Sequence, residues 1–380
     1  MKRNLIYIST FAFESQVVNL LEEVAKTNYF DQISLLVSDN DKSKWNSIDR
    51  QQGAEKIRYR TFKKYPNYHF YTAAQAKEFK RVFQQFLTDN TIIHIRGEFF
   101  ALAVRKAVTS LKLTNVKVLA DVRGASYEET VLYKKPKFVL TKLKLYQQRK
   151  NILKLPKSSD YISCVSERLK TYVIEGSGFD ERNIFINHCI AGNQFNYFPE
   201  IRSEYRKKLN VSPSEILFLF MTGGNSNWQN TDRIINSIAE KGYKILNLSR
   251  ITFEHGNVIN LFVDYNEVYK YLNACDISIV WRNDDMVNNV ACPIKFGEYI
   301  CTGLPVVANN GVHLINEYIR STGYGEIIND FTDVDSERIE ALAAINRSEI
   351  SANARDIFSL EVVTKGYLNT YEAIFKKITN

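Results

Sequence analysis

The sequence predicts an α/β protein with two doubly wound domains, each built on a parallel sheet with helices on both faces. Short β-branched runs alternate with amphipathic helical patterns along the 380 residues. The alternation occurs twice, on either side of a weakly periodic segment at 191–206. The length favours two or three domains at roughly 150 residues each. With 45% apolar and 24% charged residues, the composition excludes disordered and collagen-like classes.

The first half contains the first set of alternating elements. Its predicted strands are 4–9, 33–38, 57–61, 91–95, 116–120 and 161–165. Its predicted helices include 14–26, 73–87, 99–111 and 167–175. Strands that are separated by helices are expected to lie parallel, because each helix returns the chain to the same end of the sheet.

The second half repeats this pattern. Its predicted strands are 216–221, 244–248, 258–262, 276–280, 305–308 and 326–328, and its helices include 230–241, 266–273, 293–302, 312–321 and 336–345. We therefore expect domains at 1–190 and 191–358, and a last helix, within 359–380, that packs back on the first domain. In such sheets ligands bind outside the carboxyl ends of the strands, so we expect a site in a cleft between the two domains.

Charge and cysteine content indicate the kind of binding partner and the cellular compartment to expect. The net charge of +8 favours an anionic partner, either nucleotide phosphates, a phospholipid surface or nucleic acid. No apolar stretch reaches 18 residues, and no signal peptide is recognisable. Five cysteines without a CxxC pair indicate a reduced cytoplasmic protein with buried thiols.

The strongest local feature lies between Val290 and Ala308. Pro293 suits the start of a helix and Gly303 the position just past its end. Lys295 falls in the first turn and Glu298 three residues later, so both project from one face. A lysine at a helix N-terminus favours phosphate binding, and the carboxylate suits two adjacent hydroxyls. The alternative is a surface ion pair.

Two other loops of the second half follow strands. Gly223 and Gly224, with Asn225, allow backbone N–H groups to approach an anion, unless they form only a plain turn. Arg282 ends the strand 276–280 and is predicted to clamp a diphosphate. The alternative for Arg282 is a salt bridge to Asp284 or Asp285.

In the first half, two strand ends carry arginine followed by glycine. We expect the wall of the site to include Arg96, Glu98, Arg123 and Glu128. Ser15 and Gln16 open the first helix and either contact a ligand or cap that helix. The five histidines lack metal-ligand spacing, and no P-loop, GxGxxG or GxSxG motif occurs. Residues 39–41 match a DxD metal motif in a polar loop, and we predict no metal site.

A basic segment runs from Lys134 to Lys157 with nine lysines and arginines, no acidic residue and interleaved apolar residues. It favours a basic amphipathic helix on anionic lipid. The alternative is a solvated helix. A nucleic-acid interaction is not predicted, because no recognised module is present.

These motifs together resemble a known family. The segment 293–307, PIKFGEYICTGLPVV, is similar to the donor-site signature of retaining GT-B glycosyltransferases of the group 1 or family 4 type. The Gly223–Gly224 loop, the turn at 94–97 (HIRG) and the segment 165–170 (VSERLK) also resemble that family. The resemblance covers nearly the whole chain and is strongest in the second half.

The resemblance implies specific roles. Glu298 matches the second acid of the family's E-x7-E motif, which binds the ribose, whereas Val290 stands in place of the first acid. The loop backbone around Pro293 and Ile294 is implied in donor binding, together with Gly223, Gly224 and Asn225. The family's usual diphosphate-binding arginine and lysine are replaced by Asn227, Trp228 and Gln229, so Arg282 and Lys295 are the expected substitutes. Arg123 stands where many relatives have histidine.

The implied activity is a metal-independent, retaining transfer of a sugar from a UDP- or GDP-linked donor, without a cofactor. The acceptor is a glycan or lipid-linked molecule in bacterial surface polysaccharide synthesis. The expected location is cytoplasmic, with peripheral association at the inner face of the membrane. The alternatives are a non-catalytic partner subunit, a nucleotide-sugar 2-epimerase and a polyol-phosphate transferase.

Overall fold

The computed structural model describes residues 2–9, 15–39, 56–66, 68–113, 115–133, 139–222, 231–333 and 335–379. The chain forms two compact units. Unit 1 comprises Met1–His188 with Val363–Asn380, and unit 2 comprises Cys189–Val362. In the described part of each unit, helices flank a parallel sheet, which confirms the predicted α/β class.

Unit 1 is built on a parallel sheet. Its strands are β1 (Asn4–Ile8), β2 (Gln32–Ser38), β3 (Ile57–Phe62), β4 (Thr91–Arg96), β5 (Val116–Val122), β6 (Tyr161–Cys164) and β7 (Ile184–Ile186). Within the described ranges these seven strands lie in the order β3-β2-β1-β4-β5-β6-β7, and every pairing is parallel. The strand order reverses between β1 and β4, where this class of sheet binds ligands.

The helices of unit 1 alternate with these strands. They are α1 (Ser15–Lys26), α2 (Thr72–Phe83), α3 (Ala101–Ser110), α4 (Ser126–Tyr133), α5 (Val139–Leu153), α6 (Leu155–Ser158) and α7 (Glu167–Ser177). A short 3-10 turn at His69–Tyr71 precedes α2. Large side chains such as Tyr7, Phe62, Phe79 and Phe83 are fully buried and fill the core.

Unit 2 repeats the plan with a smaller sheet. Its strands are β8 (Leu217–Met221), β9 (Lys244–Leu248), β10 (Val258–Leu261), β11 (Ile277–Val280), β12 (Val306–Ala308) and β13 (Gly325–Ile327). Over the residues that can be described, the order is β10-β9-β8-β11-β12-β13, again parallel throughout. Its reversal point lies between β8 and β11.

The remaining helices complete the chain. They are α8 (Pro199–Lys208), α9 (Thr231–Glu240), α10 (Tyr265–Ala274), α11 (Met286–Asn289), α12 (Ile294–Cys301), α13 (His313–Thr322), α14 (Ser336–Ala343), α15 (Arg347–Phe358) and α16 (Leu360–Thr379). From Val363 onward α16 belongs to unit 1, where Tyr371 contacts His94. Short 3-10 turns also occur at Glu181–Asn183 and Phe331–Asp333.

Two sequence predictions differ from the structure. Part of the weakly periodic segment at 191–206 is not a linker, because α8 begins at Pro199 and packs on α10. Its helical pattern is obscured because Arg206 is buried, where it donates to Asp276 Oδ2 at 2.9 Å. The strand β7 was not predicted, because three residues are too few to show an alternating pattern.

The basic segment also departs from prediction. Instead of one helix it forms α5 and α6, while residues 134–138 lie outside the described ranges. The face of α5 that is buried in unit 1 carries polar residues, Gln147, Gln148 and Asn151, together with Ile152. The apolar residues therefore do not form the buried stripe of an ordinary amphipathic helix.

Candidate functional site

The reversal point of the unit 2 sheet brings together several predicted residues. Met221 ends β8, and Arg282 comes two residues after the end of β11. The helix α12 begins at Ile294, and the amino group of Lys295 in its first turn donates to the carbonyl oxygen of Met221 at 3.1 Å. This contact places the N-terminus of α12 beside the carboxyl end of β8. The predicted ligands Gly223, Gly224 and Asn225 lie outside the described residues.

The start of α12 is set by its sequence. Pro293 occupies the N-cap with φ −67°, which its ring favours, and its carbonyl accepts a hydrogen bond from the backbone N–H of Phe296 at 3.1 Å. The sequence pattern predicts Pro293 one position later, inside the helix. The exposed Ile294 is the first helical residue. The first N–H groups of a helix lack intrahelical partners and carry partial positive charge, so this end favours an anion.

Lys295 and Glu298 lie one helical turn apart, but they are not a surface pair. Glu298 is only 2% exposed, and burial raises the pKa of its carboxyl to about 7. Burial and the nearby guanidinium of Arg282 lower the pKa of Lys295 to about 8. The hydroxyl of Tyr265 donates to Oε1 of Glu298 at 2.7 Å. The site therefore holds two groups whose charged forms burial disfavours.

The backbone of Arg282 is held firmly by the loop after β12. The side-chain oxygen of Asn309 accepts from the Arg282 N–H at 3.1 Å, and its amide donates to the Arg282 carbonyl at 2.6 Å. A Cβ added at Gly311 would lie 2.4 Å from that same carbonyl oxygen, so the loop approaches too closely for any other residue. The carboxylates of Asp284 and Asp285 accept hydrogen bonds from Asn289 and Asn288.

An apolar rim accompanies these polar groups. Among the described residues of unit 2, the large apolar side chains that are well exposed are Phe262, Tyr265, Met286 and Ile294. Each lies just after a strand or at the start of a helix near the carboxyl edge of the sheet. The guanidinium of Arg250 lies 4.8 Å from the centre of the Phe262 ring. A planar, weakly polar group fits such a rim.

The reversal point of the unit 1 sheet carries a second charged cluster. Arg96 ends β4, and Arg123 follows β5. Asp121 is fully buried beside them, with Oδ2 at 3.8 Å from Nη1 of Arg96 and 3.6 Å from Nη1 of Arg123. Burial alone would raise the pKa of Asp121, but Arg123, His94 and Arg96 lower it to about 2. Asp121 therefore stays ionised and holds the two guanidinium groups at this edge.

Tyrosine side chains from α16 contact residues of that cluster and the adjoining His94. The Nδ1 atom of His94 lies 2.7 Å from the hydroxyl of Tyr371, and the hydroxyl of Tyr367 lies 3.4 Å from Nη1 of Arg123. Burial lowers the pKa of His94, which favours the neutral ring. The contacts of His94 are therefore structural ones within unit 1.

The other predicted residues of unit 1 have varied surroundings. Glu98 is buried, accepts from the Ser126 hydroxyl at 2.5 Å, and has a pKa raised by burial. Glu128 accepts from the hydroxyl of Tyr172 at 2.6 Å. Gln16 is half-buried in the first turn of α1. Ser15 begins that helix, and its side chain lies outside what the structure describes.

Three residues of these sites were not predicted from the sequence. Tyr265 reaches Glu298 across 33 positions, and Asn309 reaches Arg282 across 27, so only the folded chain reveals either contact. Asp121 did give a signal, because a carboxylate at the end of an apolar strand requires a buried partner.

Comparison with known proteins is informative only at the level of structure. No protein-family model and no curated protein sequence matches the chain. A glycosyltransferase from Rickettsia africae is similar over 99% of this chain and 100% of its own, with 15% identity and a TM-score of 0.72. The structure of Anabaena HepE in complex with UDP-glucose is similar over 97% of this chain and 99% of its own, with 12% identity and a TM-score of 0.67. WaaG, a glycosyltransferase involved in lipopolysaccharide biosynthesis, is similar over 97% of this chain and 99% of its own, with 13% identity and a TM-score of 0.62.

The fold is that of GT-B glycosyltransferases. In the described residues each unit is a parallel sheet flanked by helices, and these solved glycosyltransferase structures are similar over at least 97% of this chain. This confirms the predicted fold class. At these identities the likeness establishes the fold alone, and the activity must be argued from the site.

Proposed function

We propose that the protein is a retaining glycosyltransferase of the family 4 type. It moves a sugar from a UDP- or GDP-linked donor to a hydroxyl of a glycan or lipid-linked acceptor. The observation that carries the proposal is the buried Glu298, one turn beyond Lys295 at the reversal point of the unit 2 sheet. A cation at a helix N-terminus and a carboxylate one turn away suit a diphosphate and the adjoining ribose.

The donor is proposed to bind along α12. The diphosphate contacts Lys295, Arg282 and the N–H groups at the start of the helix, all of which supply positive charge. The two hydroxyls of the ribose donate to Glu298. Phe262 lies three residues before Tyr265, whose hydroxyl donates to Glu298. Its exposed ring, 4.8 Å from the Arg250 guanidinium, is proposed as the surface on which the nucleobase stacks.

The protein's main contribution to catalysis is electrostatic. In front-face transfer the acceptor hydroxyl attacks from the side of the leaving diphosphate, and a phosphate oxygen takes the acceptor's proton. Negative charge on the diphosphate grows as its bond to the sugar breaks, so fixed cations stabilise the transition state more than the ground state. Arg282 and Lys295 supply this charge, which is the basis for proposing that the reaction needs no metal.

The acceptor side is proposed to be unit 1. Arg96 and Arg123 are held at its carboxyl edge by the ionised Asp121, and Glu98, Glu128, Ser15 and Gln16 are the remaining candidates. The solved structure of HepE contains UDP-glucose, which makes UDP the first nucleotide to test here. The lipopolysaccharide role of WaaG supports the proposal of bacterial surface polysaccharide synthesis.

A non-catalytic partner subunit is the second candidate. It is favoured by Val290, which is fully buried where the family signature has its first acid. Such a subunit would bind nucleotide without transferring sugar. An epimerase would need carboxylates and histidines around the sugar, and the donor contacts proposed above, Lys295, Arg282 and Glu298, include a single carboxylate.

The decisive experiment combines binding with turnover. Thermal shift with UDP, GDP, ADP and CDP identifies the base, and release of nucleoside diphosphate from matching nucleotide sugars, with and without glycan acceptors, measures transfer. Glu298→Gln is compared with Glu254→Gln, which removes the same charge at an exposed position of unit 2. Loss of nucleoside diphosphate binding in Glu298→Gln, but not in Glu254→Gln, supports the assignment of the donor site. Wild-type binding without turnover on any donor favours the partner-subunit alternative.

A further inference from the structure

The exposed apolar side chains of unit 1 are concentrated in one region. Among its described residues, the large apolar side chains that are well exposed are Phe70, Val131, Leu132, Val139, Tyr146 and Leu153. They belong to the 3-10 turn before α2, to the end of α4 and to α5. The ring of His69, next to Phe70, lies 5.5 Å from that of Tyr146, so these segments adjoin. Scattered exposed apolar residues need no explanation, but a concentration of them does.

Three of these residues form a stripe along α5. Val139, Tyr146 and Leu153 are spaced by seven residues, which is close to two helical turns, so they lie on one face. They are 74%, 56% and 55% exposed, respectively. We call this set the apolar stripe. It is the outer face of the helix, because Gln147, Gln148 and Asn151 project toward the protein.

The inner face of α5 shows that this orientation is built in. The amide of Gln148 donates to the carbonyl of Ser126 at 2.9 Å, and the amide of Gln147 donates to Asn151 Oδ1 at 2.6 Å. An ordinary surface helix buries its apolar residues and exposes its polar ones. Here amide side chains are buried while valine, tyrosine and leucine face outward, an arrangement that costs stability unless the outer face meets an apolar partner.

Cations lie on both sides of the apolar stripe. Lys142 and Arg149 come three residues after Val139 and Tyr146, and Lys150 comes four residues after Tyr146. We call Lys142, Arg149 and Lys150 the basic flanks. The amino group of Lys150 lies 5.5 Å from the centre of the Tyr146 ring. No aspartate or glutamate occurs between residues 134 and 157.

We propose that this face of α5 docks the protein on an anionic phospholipid membrane. The apolar stripe inserts at the boundary between headgroups and acyl chains, where tyrosine is favoured, and the basic flanks contact lipid phosphates. Charge complementarity and an outward apolar face select this partner, because a nucleic acid would match the cations but not the stripe. No helix in the described ranges is long and apolar enough to cross a membrane. The docking surface is independent of the proposed transfer reaction.

The test measures binding of the full chain to vesicles. Sedimentation compares vesicles of phosphatidylcholine alone with vesicles that also contain phosphatidylglycerol, at low and high salt. We expect binding to the anionic vesicles that weakens as salt screens the charges. Equal binding to both kinds of vesicle would overturn the proposal. Tighter binding to a short DNA duplex than to anionic vesicles would overturn it as well.

A matched pair of triple variants locates the surface. Lys142→Gln, Arg149→Gln and Lys150→Gln together remove the basic flanks, and each cation near an anionic surface contributes about fivefold in affinity. The triple variant should therefore bind about a hundredfold more weakly. The control, which combines Lys207→Gln, Arg320→Gln and Lys365→Gln, loses the same charge at exposed positions elsewhere. Equal loss in both would show that net charge, not this face, governs binding.

Insertion of the apolar stripe into the membrane is tested by the fluorescence of an introduced tryptophan. Leu153→Trp places a reporter on the exposed end of α5, and its emission is obtained by subtracting the spectrum of the parent protein. We expect a shift to shorter wavelength, and quenching by brominated acyl chains, with anionic vesicles only. An unshifted and unquenched signal from the introduced indole during binding would refute insertion. Retained UDP binding by the basic-flank variant separates a failure here from a failure of the proposed function.

Discussion

Glu298→Gln has two opposite consequences that together test the assignment of the site. The substitution keeps the shape of the side chain and an oxygen that accepts from Tyr265, but it removes the charge. We expect the ligand-free protein to become more stable at neutral pH, because burial opposes ionisation of Glu298. We expect binding of nucleoside diphosphate to weaken, because the ribose hydroxyls lose a charged acceptor.

The magnitude follows from the pKa of the carboxyl. Burial raises it from 4.5 to about 7. The folded pKa lies above the unfolded one, so protonation of Glu298 stabilises the folded state. This contribution is complete below the unfolded pKa of 4.5 and is lost progressively as pH rises through the folded pKa of about 7. At pH 7.5 the loss is roughly 3 kcal/mol, and at pH 5 it is roughly 1 kcal/mol. Glutamine carries no charge at either pH. The free energy of unfolding of the variant should therefore exceed that of the parent protein by up to these amounts.

The assay is urea unfolding of the full chain at pH 5 and pH 7.5. Trp281, just after β11, lies in unit 2, so its fluorescence reports on the unit that contains the substitution. The free energy of unfolding of Glu298→Gln should exceed that of the parent protein more at pH 7.5 than at pH 5. Calorimetry at pH 7.5 should show UDP binding weakened by about ten- to a hundredfold, the equivalent of about 1.5–3 kcal/mol.

The two results can fail separately. Destabilisation at pH 7.5, or the same change at both pH values, would refute the argument that Glu298 is held in an environment that opposes its charge. A stabilised variant that binds UDP normally would instead refute its role toward the ribose. Glu254→Gln, at an exposed position, should show neither effect.

The remaining predictions concern the groups around the diphosphate. Affinity for UDP should be greatest between about pH 7 and pH 8, because Glu298 must lose its proton and Lys295 must keep its own; a flat titration profile by calorimetry would contradict this. Lys295→Ala and Arg282→Ala should each lower kcat by about ten- to a thousandfold and change donor affinity less, since charge on the diphosphate grows in the transition state. Steady-state kinetics with the true donor check this, and weaker donor affinity with an unchanged kcat would point to ground-state binding alone. Gly311→Ala should impair turnover by displacing the Arg282 carbonyl that lies 2.4 Å from the added Cβ, whereas Gly256→Ala, which meets nothing within 4 Å, should leave activity unchanged.

Much of the fold could be predicted because its signals are local. Most strands are continuous apolar runs that are buried on both faces, and the helices between them carry amphipathic patterns. The exceptions have physical causes. The helix α8 buries Arg206, whose charge is compensated by Asp276 just before β11, so most of its sequence appears polar. Such compensation cannot be read from a local window.

The α5 segment shows why periodicity alone can mislead. Its composition favours a basic helix with apolar residues on one side, but it does not reveal which side faces the protein. Gln148 bonds the carbonyl of Ser126, a partner from α4, and this fixes the orientation. The apolar residues that the prediction counts are consequently divided, with Ile152 buried and Leu153 exposed.

The part of the candidate donor site that could be read from the sequence is the part that one helix determines. Lys295 and Glu298 share a face of α12 because they are three residues apart, and the structure adds what spacing cannot, namely burial and the contact with Tyr265. Burial moves both pKa values toward neutrality, so the charged form of each group is disfavoured. A diphosphate beside Lys295 would raise the pKa of the amine, and ribose hydroxyls would lower that of the carboxyl. Nucleotide binding should therefore add a proton to the first group and remove one from the second, which links the chemistry of this site to pH through its own side chains.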